Sequence, residues 1–283
     1  MARRPVHRWG QLALPAATAT APVSSPRSSR LWDGDYLFVL QNLVLKDFRV
    51  RYRNMSLGVF WSVLNPLIMM LILTFVFTKI FKNNIPNFPV FLLCGLIPFN
   101  FFSQAWSAGT NSLIENAGLI KRVPIPREVV PISSVLSTCL HLLIQIGILL
   151  TFTLAYGYGV NRNWLWLPLV WIFEVLFVLG LVLACSAIDV YLRDMRYIVE
   201  SSNTVLFYLV PIFYSSDQVP KDYVDLYLWN PVAALVVALR RILIEHVPPG
   251  ASLMRNLSLG SIFALAAGWI VFRALHRRFY DHL

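Results

Sequence analysis

Long, nearly uncharged apolar runs separated by short charged or proline-rich breaks dominate this chain. A helix needs about 20 consecutive apolar residues to cross the hydrocarbon core of a bilayer, and several runs reach that length. Few folds remain open to such a pattern. A membrane β-barrel alternates apolar and polar residues over segments of roughly ten, which these continuous runs do not. The expected fold class is an all-α polytopic membrane protein. Composition agrees: of 283 residues 57% are hydrophobic and only 13% are charged, against about a quarter charged in a soluble domain.

The runs predict six transmembrane helices, at about Leu57–Thr78, Phe88–Ser112, Val129–Tyr156, Trp164–Ile188, Ile198–Tyr214 and Leu257–Leu275. Asn65-Pro66 predicts a kink in the first. Gly95, Pro98, Asn100 and Gly109 predict that the second is bent or broken. Ahead of them, residues 32–56 read as an amphipathic helix on the membrane interface. Leu37, Leu40, Leu43, Val44 and Phe48 recur at helical spacing there, and Arg49, Arg51 and Arg53 would sit among lipid headgroups. Residues 215–250 are different. They carry Pro220, Asn230-Pro231 and Pro248-Pro249, and their apolar part falls short of a span. Such segments read as re-entrant or interfacial helices.

Residues 1–31 are rich in Arg, Pro, Ala, Ser and Thr and predict a disordered cytoplasmic tail. An organellar transit peptide is the alternative on composition alone, and Leu12-Ala13-Leu14 is too short for a signal-peptide core. Residues 276–283 read as a cytoplasmic C-terminal tail. The net charge of +10 would suggest nucleic acid in a soluble protein. Here the positive residues gather between spans, in the N-terminal segment, the 116–128 and 191–197 turns and the C-terminal tail. By the positive-inside rule both termini are cytoplasmic, with Lys79, Lys82 and Arg240-Arg241 standing against this on the outside. Cys94, Cys139 and Cys185 lie in apolar runs and read as packing residues, with no metal spacing.

Five strings together resemble one family. They are Val50 through Leu67, including Arg51-Tyr52-Arg53 and Asn65-Pro66; Gly95-Leu96-Ile97-Pro98-Phe99-Asn100-Phe101-Phe102; Asn111 through Glu128; Arg193-Asp194-Met195-Arg196-Tyr197 with Pro211-Ile212-Phe213-Tyr214; and Trp229-Asn230-Pro231. In register over residues 45–245, they are similar to ABC-2 type permeases that export polysaccharides such as O-antigen, teichoic acid or cell-wall galactan. The resemblance assigns residues 57–275 to an ABC-2 transmembrane domain in the cytoplasmic (inner) membrane. It implies a homodimer bound to two separate nucleotide-binding ATPase subunits and exporting a lipid-linked, polyprenyl-borne polysaccharide. It also implies that the spans at 57–78 and 198–214 line the conduit. ATP and Mg would sit on the partner, because this chain has no Gly-x-x-x-x-Gly-Lys-Ser/Thr loop to cradle phosphates and so no ATPase motif of its own.

The 116–128 turn is then the coupling element. Lys121, Arg122, Arg127 and Glu128 would be rim contacts, and Leu119, Ile120 and Val123 apolar anchors. The plain alternative is an ordinary positive loop. Phe60, Trp61, Phe75 and Phe77, with Phe207, Tyr208, Phe213 and Tyr214, would line the channel, since flat rings stack on sugar C–H faces and let them slide. Their plain alternative is contact with lipid. Glu174 stands mid-span, where a carboxylate is costly and marks a function or a buried partner. Asp33-Gly34-Asp35 matches a metal–nucleotide-sugar motif without a catalytic domain around it. His141 and Arg193-Asp194 form no acid–base constellation. Asn54-Met55-Ser56 and Asn256-Leu257-Ser258 match the glycosylation sequon only as short-motif chance. The competing functions are an ABC-2 permease for drugs or other small molecules, and an integral-membrane enzyme of glycan or lipid assembly.

Overall fold

The computed structural model describes residues 35–53, 58, 60–82, 85–123, 125–215, 228–276 and 279. Every regular element among them is helical. In order they are α1 (Tyr36–Tyr52), α2 (Phe60–Phe75) ending in a π-turn (Val76–Ile80), α3 (Phe88–Glu115), α4 (Ala117–Arg122) and α5 (Val129–Ala155). A 3-10 turn (Arg162–Trp166) then leads into α6 (Leu167–Asp189), followed by α7 (Met195–Leu209), α8 (Pro231–Leu243) and α9 (Ala251–Leu275). Five stretches are long and apolar enough to cross a membrane: Phe60–Ile80, Phe88–Arg122, Val129–Ala155, Arg162–Asp189 and Ala251–Leu275. The expected tail 1–31, the sequon at Asn54 and much of the external segment lie outside the described residues.

The expected span Ile198–Tyr214 takes a shorter form. Its helix, α7, has 15 residues, about 22 Å at the α-helical rise against a hydrocarbon core of about 30 Å. Pro211 explains the stop: it cannot donate, and it pushes Val210 into the extended region, at ψ 140°. In contrast α3, expected to be bent or broken by Gly95, Pro98, Asn100 and Gly109, runs without a break as one helix of 28 residues. It is buried on nearly every side, and the neighbours packed around it support the continuous helix. In α2, Pro66 removes the N–H that would bond the Ser62 carbonyl, and Gln145 of α5 donates to that carbonyl instead at 3.1 Å. A neighbouring helix thus supplies what the proline takes away.

The core has two parts. The larger fills the interior around α3, against α5, α6, α7 and α8. The smaller gathers at one end: Leu43 of α1, Leu113 of α3, Ile120 of α4, Val129 and Val130 of α5, Ala187 of α6, Phe272 of α9 and Phe279. Phe279, in the expected C-terminal tail, joins this cluster, its ring 5.6 Å from Phe272 and 6.1 Å from Tyr191. Helix α1 has a protein-facing side. Leu40, Leu43, Val44 and Phe48 face the protein, α1 packs along α5, and Phe48 stacks on His141 at 5.0 Å. Leu37, Phe38, Leu45 and Val50 are the exposed apolar side chains.

The opposite end is tied by polar contacts between three links. Asn87 donates to the Tyr158 hydroxyl at 3.1 Å, Asn161 to the Ile242 carbonyl at 3.2 Å and Asn163 to the His246 carbonyl at 2.6 Å. The α2–α3, α5–α6 and α8–α9 connections therefore share one end. The α1 helix, the α3–α5 turn, the α6–α7 turn and Phe279 share the other.

Candidate functional site

Helix α4 stands on a packed base at the charged end. Ile120 and Ile125 are buried and Leu119 is partly buried against the same cluster, so these three hold the turn to the protein. Lys121, Arg122 and Val123 point outward, with Val123 41% exposed. The turn is tied to α1 by Lys46, which donates to Asn116 Oδ1 at 2.7 Å and pairs with Asp47 at 3.0 Å. Arg127 is half-buried, donates to the His276 carbonyl and lies 5.9 Å from the Phe279 ring. Glu128 is half-buried near Tyr36, and burial together with that carboxylate holds the Tyr36 hydroxyl above its ordinary range. Of the seven residues assigned to coupling, Lys121, Arg122 and Val123 form the outward tip, and the other four join the turn to its base.

The arginines on α1 separate. Arg49 and Arg53 line one hollow with Asn42, Leu45, Lys46, Phe48 and Val50, a basic rim over an apolar floor. Arg51 turns to α3 and donates to Gln104 at 3.5 Å. Asp35 of the Asp33-Gly34-Asp35 string caps α1 by accepting from the Phe38 N–H at 3.2 Å, which is an ordinary N-cap role. Asp33 and Gly34 lie outside the described residues. Asn230 does the same for α8, accepting from the Val232 N–H at 3.1 Å, with Pro231 at the first helical position.

Five of the eight aromatic residues assigned to the conduit come together. Phe213 is the hub: its ring centre lies 5.4 Å from Phe77, 6.1 Å from Phe207, 6.4 Å from Tyr208 and 5.4 Å from Tyr214. The π-turn after α2 places Phe77, and the break after α7 places Phe213 and Tyr214. Tyr208 is 64% exposed, so the cluster has an open face. Phe60, Trp61 and Phe75 lie on the exposed side of α2, outside this cluster. An apolar groove lined by Trp106, Tyr197, Ile198, Ser201, Ser202, Val205 and Leu206, with Asp194 at its charged end, runs along α7. Asn203 fastens α7 to α3 by donating to Ser107 Oγ at 3.0 Å.

Glu174 is buried in α6, and neither carboxyl oxygen has a hydrogen-bond partner among the described residues. No cluster of metal-ligating side chains occurs among the described residues. Arg240, one of the charges that stand against the positive-inside pattern, is buried in the protein. Sequence reading missed four residues that the packing makes important: Lys46, Gln145, Arg240 and Phe279. Gln145 and Arg240 carried a signal, since each interrupts an apolar run.

Comparison with known proteins agrees with this geometry. Residues 39–244 match the family described as ABC-2 type transporter. The chain is similar to an O-antigen export system permease protein of Klebsiella pneumoniae, at 35% identity over 207 residues, 73% of this chain and 79% of the relative. A protein of the same description from Myxococcus xanthus is 28% identical over 250 residues, 88% of this chain and 96% of that one. A polysialic acid transport protein of Escherichia coli is 27% identical over 238 residues, covering 83% and 92%.

Proposed function

The chain belongs to the ABC-2 type transporter family, and from that premise we propose that it is the permease subunit of a polysaccharide exporter, driven by ATPase subunits on separate chains. The observation that carries this reading is the extent of likeness to relatives named for O-antigen export and polysialic acid transport. Both cargoes are polysaccharides, and both sets of relatives are matched over most of their length.

The geometry supports a division of labour. Two copies of the chain form the conduit, and two nucleotide-binding subunits hold ATP and Mg. Lys121, Arg122 and Val123 meet the ATPase. Buried Ile120 and Ile125, with the Lys46–Asn116 tie, make α4 and α1 move as one body, so a push on the turn reaches the membrane helices. The basic hollow on α1, with an apolar floor, suits a polyprenyl-linked polymer with an anionic head. The exposed side of the Phe213 cluster suits sliding sugar rings.

Topology follows from the two ends. Helix α6 finishes at the charged end and α9 begins at the opposite one, so the chain from 190 to 250 makes one net crossing. Helix α7 is too short to make it alone, and buried α8, whose end at Ile242 lies by the far links, is read as completing it. This reading gives six crossings, with Asp35 and Phe279 on the charged side. Lys46, Arg49, Arg53, Lys121, Arg122, Arg193 and Arg196 support that side as the cytoplasmic one, and the likeness to export permeases supports the inner membrane.

Depletion of this chain in its native host, with extraction of lipid-linked glycans, tests the proposal. Polymer accumulating on its lipid inside the cell, with loss from the surface, is the expected result. A normal lipid-linked pool would refute glycan export and favour a small-molecule permease. An early block, with short unfinished glycans, would instead indicate an enzyme of glycan assembly.

A further inference from the structure

Arg240 lies near the end of α8 and is 5% exposed. Its guanidinium carbon sits 3.4 Å from the centre of the Phe91 ring. It donates to the Ile212 carbonyl at 2.8 Å, the Tyr214 carbonyl at 3.2 Å and the Phe91 carbonyl at 3.4 Å. A charged side chain inside a membrane protein is expensive and persists only where its surroundings compensate for it. Here the compensation is an aromatic face and a set of backbone dipoles.

Those dipoles belong to the break after α7. Once Pro211 stops the helix, the carbonyls beyond it lose their helical donors, and irregular backbone at membrane depth must be satisfied by protein. Arginine suits the task because its planar fork reaches several carbonyls at once while stacking on a ring. Lysine offers a compact charge on a flexible stem and would serve fewer of them. The other side of the break has no slack: a Cβ on Gly95 would lie 2.9 Å from the Ile212 Cα. Tyr214 in turn donates through its hydroxyl to the Leu209 carbonyl at 2.8 Å, closing the end of α7. Segment 210–215 is therefore held from three directions, and Phe213, the hub of the aromatic cluster, rides on it.

We propose that Arg240 is a positioning residue for transport: by gripping the Ile212 and Tyr214 carbonyls while stacked on Phe91, it fixes where the Phe213 ring cluster meets the glycan. Being buried, Arg240 touches no sugar itself. The proposal rests on the reading that this cluster lines the path of the polysaccharide.

The test uses the full exporter in its native host. Arg240→Gln, Arg240→Lys, Phe213→Leu and the double variant Arg240→Gln/Phe213→Leu are compared for membrane abundance, association with the ATPase subunit and surface glycan. Arg240→Gln and Arg240→Lys should stay near wild-type abundance and association while surface glycan falls about tenfold, within the usual coupling of contacting residues. Phe213→Leu should show the same loss, and the double variant should be no worse than either single one. A merely structural role would lower abundance and export in step, and that result overturns the proposal. Normal export by Arg240→Gln beside a defective Phe213→Leu overturns it too, and leaves the aromatic path standing. Normal export by Phe213→Leu removes the aromatic-path reading, and this inference with it. If Arg240→Gln fails to accumulate, Phe91→Leu decides, because it removes only the stacking. Lost export at normal abundance supports the role, and normal export overturns it.

Discussion

A proline inside an apolar helix frees one carbonyl, and in lipid some group of the protein must take it up. Gln145 does this for Ser62, which makes it the residue that lets α2 carry Pro66 without a break. Gln145→Leu keeps roughly the same volume and removes the donor. It should cost about 1 kcal/mol, the scale of hydrogen bonds between membrane helices, read as a lower unfolding temperature of the purified chain in detergent. An unchanged temperature would show that the contact does not support the proline-containing helix. Glu174 presents the opposite case, a buried carboxyl with no hydrogen-bond partner among the described residues. An unsatisfied buried polar group costs roughly 1–3 kcal/mol, so Glu174→Leu should leave the unfolding temperature equal or higher. A clear drop would mean that a group outside the described residues pairs with it.

At the scale of elements, the tightest contact joins α6 and α9. A Cβ on Gly268 would collide with the Gly180 carbonyl, and one on Gly180 with the Ala264 backbone. Gly260, Ala264 and Gly268 recur every fourth residue, the small-residue spacing that lets membrane helices approach closely. Gly268→Val should therefore destabilise by at least the roughly 1–3 kcal/mol typical of overpacking. Gly147→Ala in α5, where a Cβ meets nothing within 4 Å, should be tolerated. Equal melting of the two variants in detergent would refute close packing of α6 on α9. The coupling turn yields a functional counterpart. Lys121→Glu/Arg122→Glu reverses charge at the outward tip only, so membrane abundance should hold while co-purification of the ATPase subunit falls about tenfold, a loss within the range of interfacial charge pairs. Abundance falling with co-purification would place the two residues in the fold. The elements were legible in the sequence to different degrees. Long apolar runs fixed α2, α3, α5, α6 and α9 because lipid and protein interior both demand the same composition. That ambiguity is also why α3 read as breakable and the inner face of α1 as lipid-bound: neither reading could see the neighbouring helices. The charged turn and Phe213 were visible as strings. Arg240 showed only as a charge in an apolar run and Phe279 not at all, because their roles depend on contacts across 149 and 152 residues of chain, from Phe91 to Arg240 and from Arg127 to Phe279.

For the whole molecule, the decisive quantity is which connection faces which side. The structure ties the 81–87, 156–163 and 244–250 links together at one end and the α3–α5 and α6–α7 turns at the other. The five helices of spanning length among the described residues would by themselves give an odd number of crossings. An odd number would put Asp35 and Phe279 on opposite sides, yet α1 and Phe279 belong to one buried cluster. On the six-crossing proposal the sixth comes from α7 and α8 acting together, neither being long enough alone. Single cysteines test this directly, in a background where Cys94, Cys139 and Cys185 are replaced. Cysteine at Lys121 or Arg193 should react with a membrane-impermeant maleimide only after the cells are opened. Cysteine at Val160 or Glu245, both exposed at the other end, should react in intact cells. The Arg193 and Glu245 pair carries the weight, since only the α7–α8 unit lies between them. If both label from the same side, that unit does not cross, and the six-crossing topology fails. If they label from opposite sides, a 15-residue helix and a buried 13-residue helix together span the bilayer. The junction they share, gripped by Arg240, then lies within the membrane, where a break in the backbone can serve as part of a conduit.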